Sequence, residues 1–203
     1  MTGKFLILGA NSFSGATFAD FVAEQGIDVI ATSRSEQSAP AFLPYTWTPR
    51  QGSVRFETVD LNHDLDKLDA ILKSDRPTHV VNFAAQSMVG QSWENPDHWM
   101  MTNVVSTVRL HELLRKCDWL ERYVHVTTPE VYGSTDGWVK ENTPFNPSTP
   151  YAVSRAAADM SLRTYVDQYD FPAVSTRAAN VFGPGQQLYR IIPRTILAGI
   201  AGK

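Results

Sequence analysis

Short apolar runs alternate along the chain with stretches of helical periodicity, and the first pair is the most informative. Phe5-Leu6-Ile7-Leu8 is continuous, β-prone and too short for a helix core, which predicts a strand buried on both faces of a parallel sheet. Gly9 turns the chain. Phe13, Ala16, Thr17, Asp20 and Phe21 then recur at three-and-four spacing and predict a helix over residues 12–25 that packs back on the sheet. Further strands are predicted over 28–32, over 54–59 where apolar and polar residues alternate, and over 79–83, 123–127 and Ala173–Arg177. Between them fall a short amphipathic helix through Leu65, Leu68 and Ile71 that ends before Pro77, a helix over 96–116 and a long helix over 149–168. Residues 37–52 carry Pro40, Pro44 and Pro49 among Phe42, Tyr45 and Trp47, a long structured loop rather than a linker. Strand–helix alternation throughout predicts an α/β fold with a doubly wound parallel sheet.

The first junction suits a particular ligand. Gly9-Ala10-Asn11-Ser12-Phe13-Ser14-Gly15 is a loop of mostly small residues between a buried strand and a helix start, where free N–H groups and the helix dipole favour a pyrophosphate. The full G-x-G-x-x-G pattern is present only as Gly9 and Gly15 with Ser12 between, so strand–loop–helix–strand context carries the reading, against that of an ordinary turn. At the end of the second strand, where an acid would accept from an adenosine ribose, Arg34 stands instead and suits a 2′-phosphate, which leans toward NADP over NAD. Ala84-Ala85-Gln86-Ser87 puts small residues at the carboxyl end of the fourth strand, the side from which ligands enter such sheets.

Composition narrows the alternatives. With 203 residues, 43% of them hydrophobic and 19% charged, the chain has the make-up of a soluble globular domain. A net charge of -3 with scattered Lys and Arg disfavours nucleic acid. The single Cys117 excludes an internal disulfide and reads as helix-end packing beside Leu113, Leu114 and Trp119. The five histidines, His63, His79, His98, His111 and His125, lack the mutual spacing of a metal site and read as surface or strand residues. Asp64, Asp66 and Asp69 suit a helix start. Met1-Thr2-Gly3-Lys4 leads straight into a strand and no apolar segment is long enough to span a membrane, so neither signal peptide nor membrane is expected and the cytoplasm is the default.

Two later segments carry candidate chemistry: Val126-Thr127-Thr128-Pro129-Glu130-Val131-Tyr132-Gly133 at a strand's end, and Pro150-Tyr151-Ala152-Val153-Ser154-Arg155 at a helix start. Tyr151 and Arg155 lie one turn apart on one face, so a fixed cation beside the phenol lowers its pKa and makes it a general base for an alcohol. Thr128 is placed to bond the same alcohol, and Glu130, the carboxylate beside it, to take a carbon-bound proton. The plainer alternative is that Tyr151 packs and Arg155 is solvated.

GANSFSG, Asp60-Leu61, NFAAQS, TTPEVYG, the Tyr-x-x-x-basic helix and RAANVFGPG follow one another in this order. In this the chain resembles the extended short-chain dehydrogenase/reductases, specifically the nucleotide-sugar 4,6-dehydratases and epimerases, over nearly its whole length. The Thr-x-Glu form of Thr128 and Glu130 is similar to the dehydratases, whereas sugar 4-epimerases usually lack that carboxylate.

The resemblance implies a Rossmann fold over residues 1–182, with 183–203 beginning a smaller substrate domain that family members continue and this chain truncates. It implies cofactor contacts at Gly9, Asn11, Ser12, Phe13, Ser14, Gly15, Arg34, Asp60, Leu61, Ala84, Ala85, Gln86, Asn103, Thr127, Tyr151 and Arg155, with Asp60 and Leu61 at the adenine and Asn103 supporting the loops near the nicotinamide. Ser87, Thr128 and Asn180 would meet the nucleotide-diphosphate sugar, Asn180 at its diphosphate. Tyr151, Thr128, Glu130 and Arg155 would be the catalytic group of a 4,6-dehydratase. The alternatives are a C4 or C2 epimerase and a non-catalytic NAD(P)-binding protein. Helices 96–116 and 149–168, through Val104, Val108, Ala157, Met160 and Tyr165, would form a homodimer. Two residues depart from the family: Pro129 replaces an Asp that some dehydratases carry, and Arg155 replaces a lysine.

Overall fold

In a computed structural model, residues 3–202 are described; Met1 and Thr2 of the expected run-in, and Lys203 at the end of the 183–203 region, lie outside them. Six parallel strands, β1 (Phe5–Leu8), β2 (Val29–Ser33), β3 (Val54–Thr58), β4 (His79–Asn82), β5 (Arg122–Thr127) and β6 (Ala173–Arg177), form one sheet in the order β3-β2-β1-β4-β5-β6. The order reverses direction between β1 and β4, which opens a crevice at their carboxyl ends.

Alternation along β1 shows why the sheet is covered twice. Leu6 and Leu8 join Val80 of β4 and Tyr123 of β5 in a core closed by α2 (Leu65–Asp75), α4 (Ser106–Leu114) and α5 (Pro150–Tyr169), through Leu68, Leu72, Leu110, Leu114 and Leu162. Phe5 and Ile7 point to the other face, where Ala16, Ala19 and Val22 of α1 (Phe13–Glu24) cover them with Val29, Ala31 and Val81. The doubly wound parallel sheet read from the pattern is therefore the fold.

Local differences have local causes. Asp28 precedes β2 instead of joining it, because its carboxylate accepts from Ser53 N at 3.0 Å and Ser53 Oγ at 2.6 Å. The 37–52 loop is organised by two 3₁₀ turns, Pro40–Phe42 and Pro44–Thr46, each opened by a proline with its preset φ. The helix expected over 96–116 is broken in three: α3 (Pro96–Met100), a π turn over Met101–Val105, and α4, which ends at Leu114. The extra residue in the π turn rotates Asn103 into the interior. A further helix, α6 (Ile191–Ile200), forms where no element was predicted. His111, expected at the surface or on a strand, instead sits fully buried on α4; His125 lies on β5, also fully buried. No described group of three or more His, Cys, Asp or Glu could hold a metal, and no described helix is long and apolar enough to cross a membrane.

Candidate active site at the carboxyl ends of the strands

Backbone geometry makes the first part of the site. Gly9 has φ 81°, and a Cβ there would come within 2.6 Å of Ala84 N; a Cβ on Gly15 would come within 2.4 Å of Gly9 O. The two glycines thus allow β1, the β4 loop and α1 to meet. Ser12 caps α1, its Oγ donating to Gly9 O at 2.7 Å and accepting from Gly15 N at 3.1 Å. The amides of Phe13 and Ser14 in that first turn have no intrahelical acceptor, so they are free for an anion. A cleft of about 140 Å³ extends from this turn, lined by Gly9, Arg34, Asp60, Leu61, Ala84 and Ala85 among others. Arg34 follows β2 directly and is exposed at the rim. Asn11 does not open on this cleft: its amide donates to Glu36 O at 2.8 Å and accepts from Ser38 N at 3.0 Å, fastening the segment that carries Arg34.

On the other side of the α1 turn lies a larger cleft of about 530 Å³, which brings together Ser87, Thr128, Glu130, Tyr151, Arg155 and Asn180. Ser12, Phe13, Ser14, Ala85 and Thr127 line it too. β5 delivers Thr128, which caps a 3₁₀ turn over Pro129–Tyr132 by accepting from Glu130 N at 3.2 Å; Pro129 at the first position of that turn lacks only an amide the turn would leave unpaired. Thr149 caps α5, accepting from Ala152 N at 3.0 Å, so Tyr151 enters the cleft from a fixed helix end. Asn180 holds φ 51°, the left-handed conformation that asparagine tolerates.

Two serines that no sequence motif singles out lock the backbone of Tyr151. Its N–H donates to Ser92 Oγ at 3.2 Å, and its C=O accepts from Ser154 Oγ at 2.7 Å. Ser154 also accepts from Asn103 Nδ2 at 2.9 Å, while Asn103 bonds Gln86 N and Gln86 O at 2.8 and 2.9 Å. Asn103 and Gln86 therefore line neither cleft and tie the β4 loop to α5 from behind.

The electrostatics correct one expectation. The phenol of Tyr151 is raised above the ordinary 10.0, not lowered: burial is the largest influence, and Arg155 together with the Thr128 hydroxyl offsets only part of it. Arg155 is not solvated; at 2% exposure it donates to Val126 O, and burial pulls its own pKa down.

A parallel sheet whose β1–α1 junction frees amides for an anion, with a tyrosine at a helix start one turn before a buried cation, has the architecture of the extended short-chain dehydrogenase/reductases. Within that class the chain belongs to the GDP-mannose 4,6 dehydratase family, whose model matches residues 6–203. It is 35% identical to dTDP-glucose 4,6-dehydratase of Neisseria gonorrhoeae, covering 98% of this chain and 61% of that enzyme. Among solved structures it is similar to the dTDP-glucose 4,6-dehydratase DesIV of Streptomyces venezuelae with NAD and TYD bound, at TM-score 0.82 and 30% identity over 98% of this chain and 62% of that one. UDP-glucose 4-epimerase of Thermus thermophilus in complex with NAD matches at TM-score 0.79 and 28% identity over 91% of this chain and 58% of that one. The chain spans 38% to 61% of the length of the curated relatives it matches.

Proposed function

We propose that this chain supplies the cofactor-binding and catalytic part of a sugar-nucleotide 4,6-dehydratase. The observation that carries the reading is the meeting of Thr128, Glu130 and Tyr151 in one cleft beside the α1 turn. A nicotinamide dinucleotide fits the residues present, since the glycine-spaced turn leaves two amides for its pyrophosphate, and when bound it supplies a hydride acceptor that later gives the hydride back.

Tyr151 takes the proton of the sugar's C4 hydroxyl as that carbon is oxidised, with Thr128 orienting the hydroxyl. The new carbonyl acidifies C5–H, and Glu130 removes that proton. Glu130 then returns it to the C6 hydroxyl, which departs as water; Pro129 has no proton to give, so one carboxyl serves both as base and as acid. Tyr151 passes its proton to C5 as C6 is reduced, leaving a 4-keto-6-deoxy sugar and every protein group in its starting state. Arg155 holds positive charge beneath the phenol throughout.

Arg34 at the rim of the smaller cleft favours NADP by offering a 2′-phosphate a fork of donors. Residues 183–203 begin the substrate-binding region, with Asn180 and Ser87 at its edge. The cytoplasm is the proposed compartment.

The test is mass spectrometry of GDP-mannose, dTDP-glucose and UDP-N-acetylglucosamine after incubation with the chain and NADP or NAD. Loss of one water from any of them is expected, and Glu130→Gln should retain oxidation at C4 and stop water loss. An isomer of unchanged mass would instead identify an epimerase, the activity carried in the name of the Thermus thermophilus relative. Bound cofactor with no product would leave a binding protein.

A further inference from the structure

Behind Tyr151, between α5 and the strands β4 to β6, lies a set of buried polar side chains of which the steps above use only Arg155. Arg155 Nε has no hydrogen-bond partner, and one Nη lies 3.4 Å from His125 Nε2. His125 Nδ1 is 3.0 Å from Tyr123 Oη, which accepts from Asn82 Nδ2 at 3.3 Å. With its lone pair taken by Asn82, the Tyr123 hydroxyl directs its proton to Nδ1, which leaves the neutral imidazole protonated on Nε2, so that this nitrogen is no acceptor for Arg155. Asp159 Oδ1 faces that nitrogen at 3.6 Å and has no other partner. Asp159 Oδ2 accepts from Thr127 Oγ1 at 3.2 Å and from Arg177 Nη2 at 2.8 Å, and Arg177 itself lies against the paired rings of Tyr132 and Phe145, 5.3 Å from each.

A buried guanidinium needs a buried anion, and Asp159 is the one carboxylate among the buried residues described. We propose that Asp159 is a positioning residue of this site: gripped by Arg177 and Thr127 and facing His125, it is the buried negative charge that offsets the Arg155 cation through space, and so sets the charge that Tyr151 meets. The proposal rests on the reading of Tyr151 as the base. Tyr151 is faced by Arg155 and Asp159 from its own helix and by Thr128 and Glu130 from the turn after β5. Asp159 is faced by Arg177 from β6, by Thr127 and His125 from β5 and by Arg155, with His111 of α4 behind His125. Glu141, Arg163 and Asp167 share the outer groove onto which Asp159 opens.

Two variants should move Tyr151 in opposite directions. Asp159→Asn removes a negative charge two turns along the helix, about 12 Å away, and should lower the midpoint of the Tyr151 phenol by about one pH unit. Arg177→Gln leaves the carboxylate less compensated and should raise it. The readout is ¹⁹F NMR of the chain carrying difluorotyrosine, whose phenol titrates in a milder range, with the Tyr151 signal assigned by its loss in Tyr151→Phe. Native near-ultraviolet circular dichroism selects the folded variants. Opposite shifts support the proposal; no shift, or shifts of one sign as loosened packing alone would give, overturn it. Should Asp159→Asn fail to fold, a rise in Arg177→Gln supports the proposal and a fall or no change overturns it. Since neither sugar nucleotide nor cofactor is present in the titration, a chain that proves inactive as a dehydratase still answers this question separately.

Discussion

Burial and charge pull the Tyr151 phenol in opposite directions, and burial prevails. A phenol above its ordinary pKa is a poor base at neutral pH, so turnover should climb as pH rises through the alkaline range, and a rate–pH profile checks this. Tyr151→Phe should lower kcat by about 10²- to 10⁴-fold, the usual worth of a positioned acid–base group, while cofactor affinity measured by fluorescence titration stays nearly unchanged. Arg34 makes a second test. Removing one charge-assisted contact at an exposed rim, Arg34→Ala should weaken NADP binding by about tenfold, about 1.4 kcal/mol, and leave NAD binding as it was. Equal losses for both cofactors would mean that Arg34 does not meet a 2′-phosphate. At this scale the sequence was legible wherever chemistry sits at fixed offsets: Thr128 and Glu130 on one turn, Tyr151 and Arg155 on one helical face. It was silent on burial, and burial reverses the sign at Tyr151. Asp159, four residues after Arg155, was readable as a helical neighbour, but nothing in the spacing said that it lies inside the protein. Ser92 reaches Tyr151 across 59 positions of chain, a pairing no local pattern encodes.

β1, β2 and β4 followed from apolar runs because a strand buried on both faces leaves little freedom in composition, whereas the half-exposed β3 and β6 did so through their alternation and their place between helices. The π turn did not, since Met101–Val105 sits inside a continuous helical period and differs only by one residue's rotation. α4 carries a consequence for stability. His111 is fully buried, both ring nitrogens are unpartnered, and its ring stands edge-on to Tyr123 at 5.3 Å. Desolvation lowers its pKa from 6.5 to about 4, so the native chain holds it neutral. Between those values the unfolded chain binds the extra proton, and stability falls as pH drops from 6.5 toward about 4. The slope from this residue is about 1.4 kcal/mol per pH unit, for a loss of roughly 3 kcal/mol across the window. Urea unfolding at a series of pH values should show that loss, and His111→Phe, which keeps an aromatic ring there, should flatten it. An unchanged acid slope in the variant would place the sensitivity elsewhere, first at His125, whose pKa burial also depresses.

At the scale of the whole molecule, apolar surface is left over on one pair of neighbouring helices. Met160 is 62% exposed and Val153 40% on α5, with Met101 at 45% and Val105 at 37% in the adjoining π turn. Val104, Val108 and Ala157, read from the sequence as interface residues, are half-buried beside them, whereas Tyr165, read the same way, packs inward against His111 and Phe171. Val153, Ala157 and Met160 recur at helical spacing, so they form one stripe, and such a patch on a water-facing helix marks an association surface. We infer a twofold homodimer that lays these stripes together. In a twofold interface every substitution is made twice, once from each side, so a single new carboxylate near the axis places two like charges in an apolar contact. Sedimentation should therefore find a species of twice 22.6 kDa for the unaltered chain and the monomer for Val153→Glu. Val153 lines neither cleft, so the variant should still bind cofactor as a folded monomer. A dimer that survives Val153→Glu with native circular dichroism would move the interface away from α5, and the exposed apolar residues of α6, Ile191 at 78% and Ile200 at 79%, would be the next surface to alter.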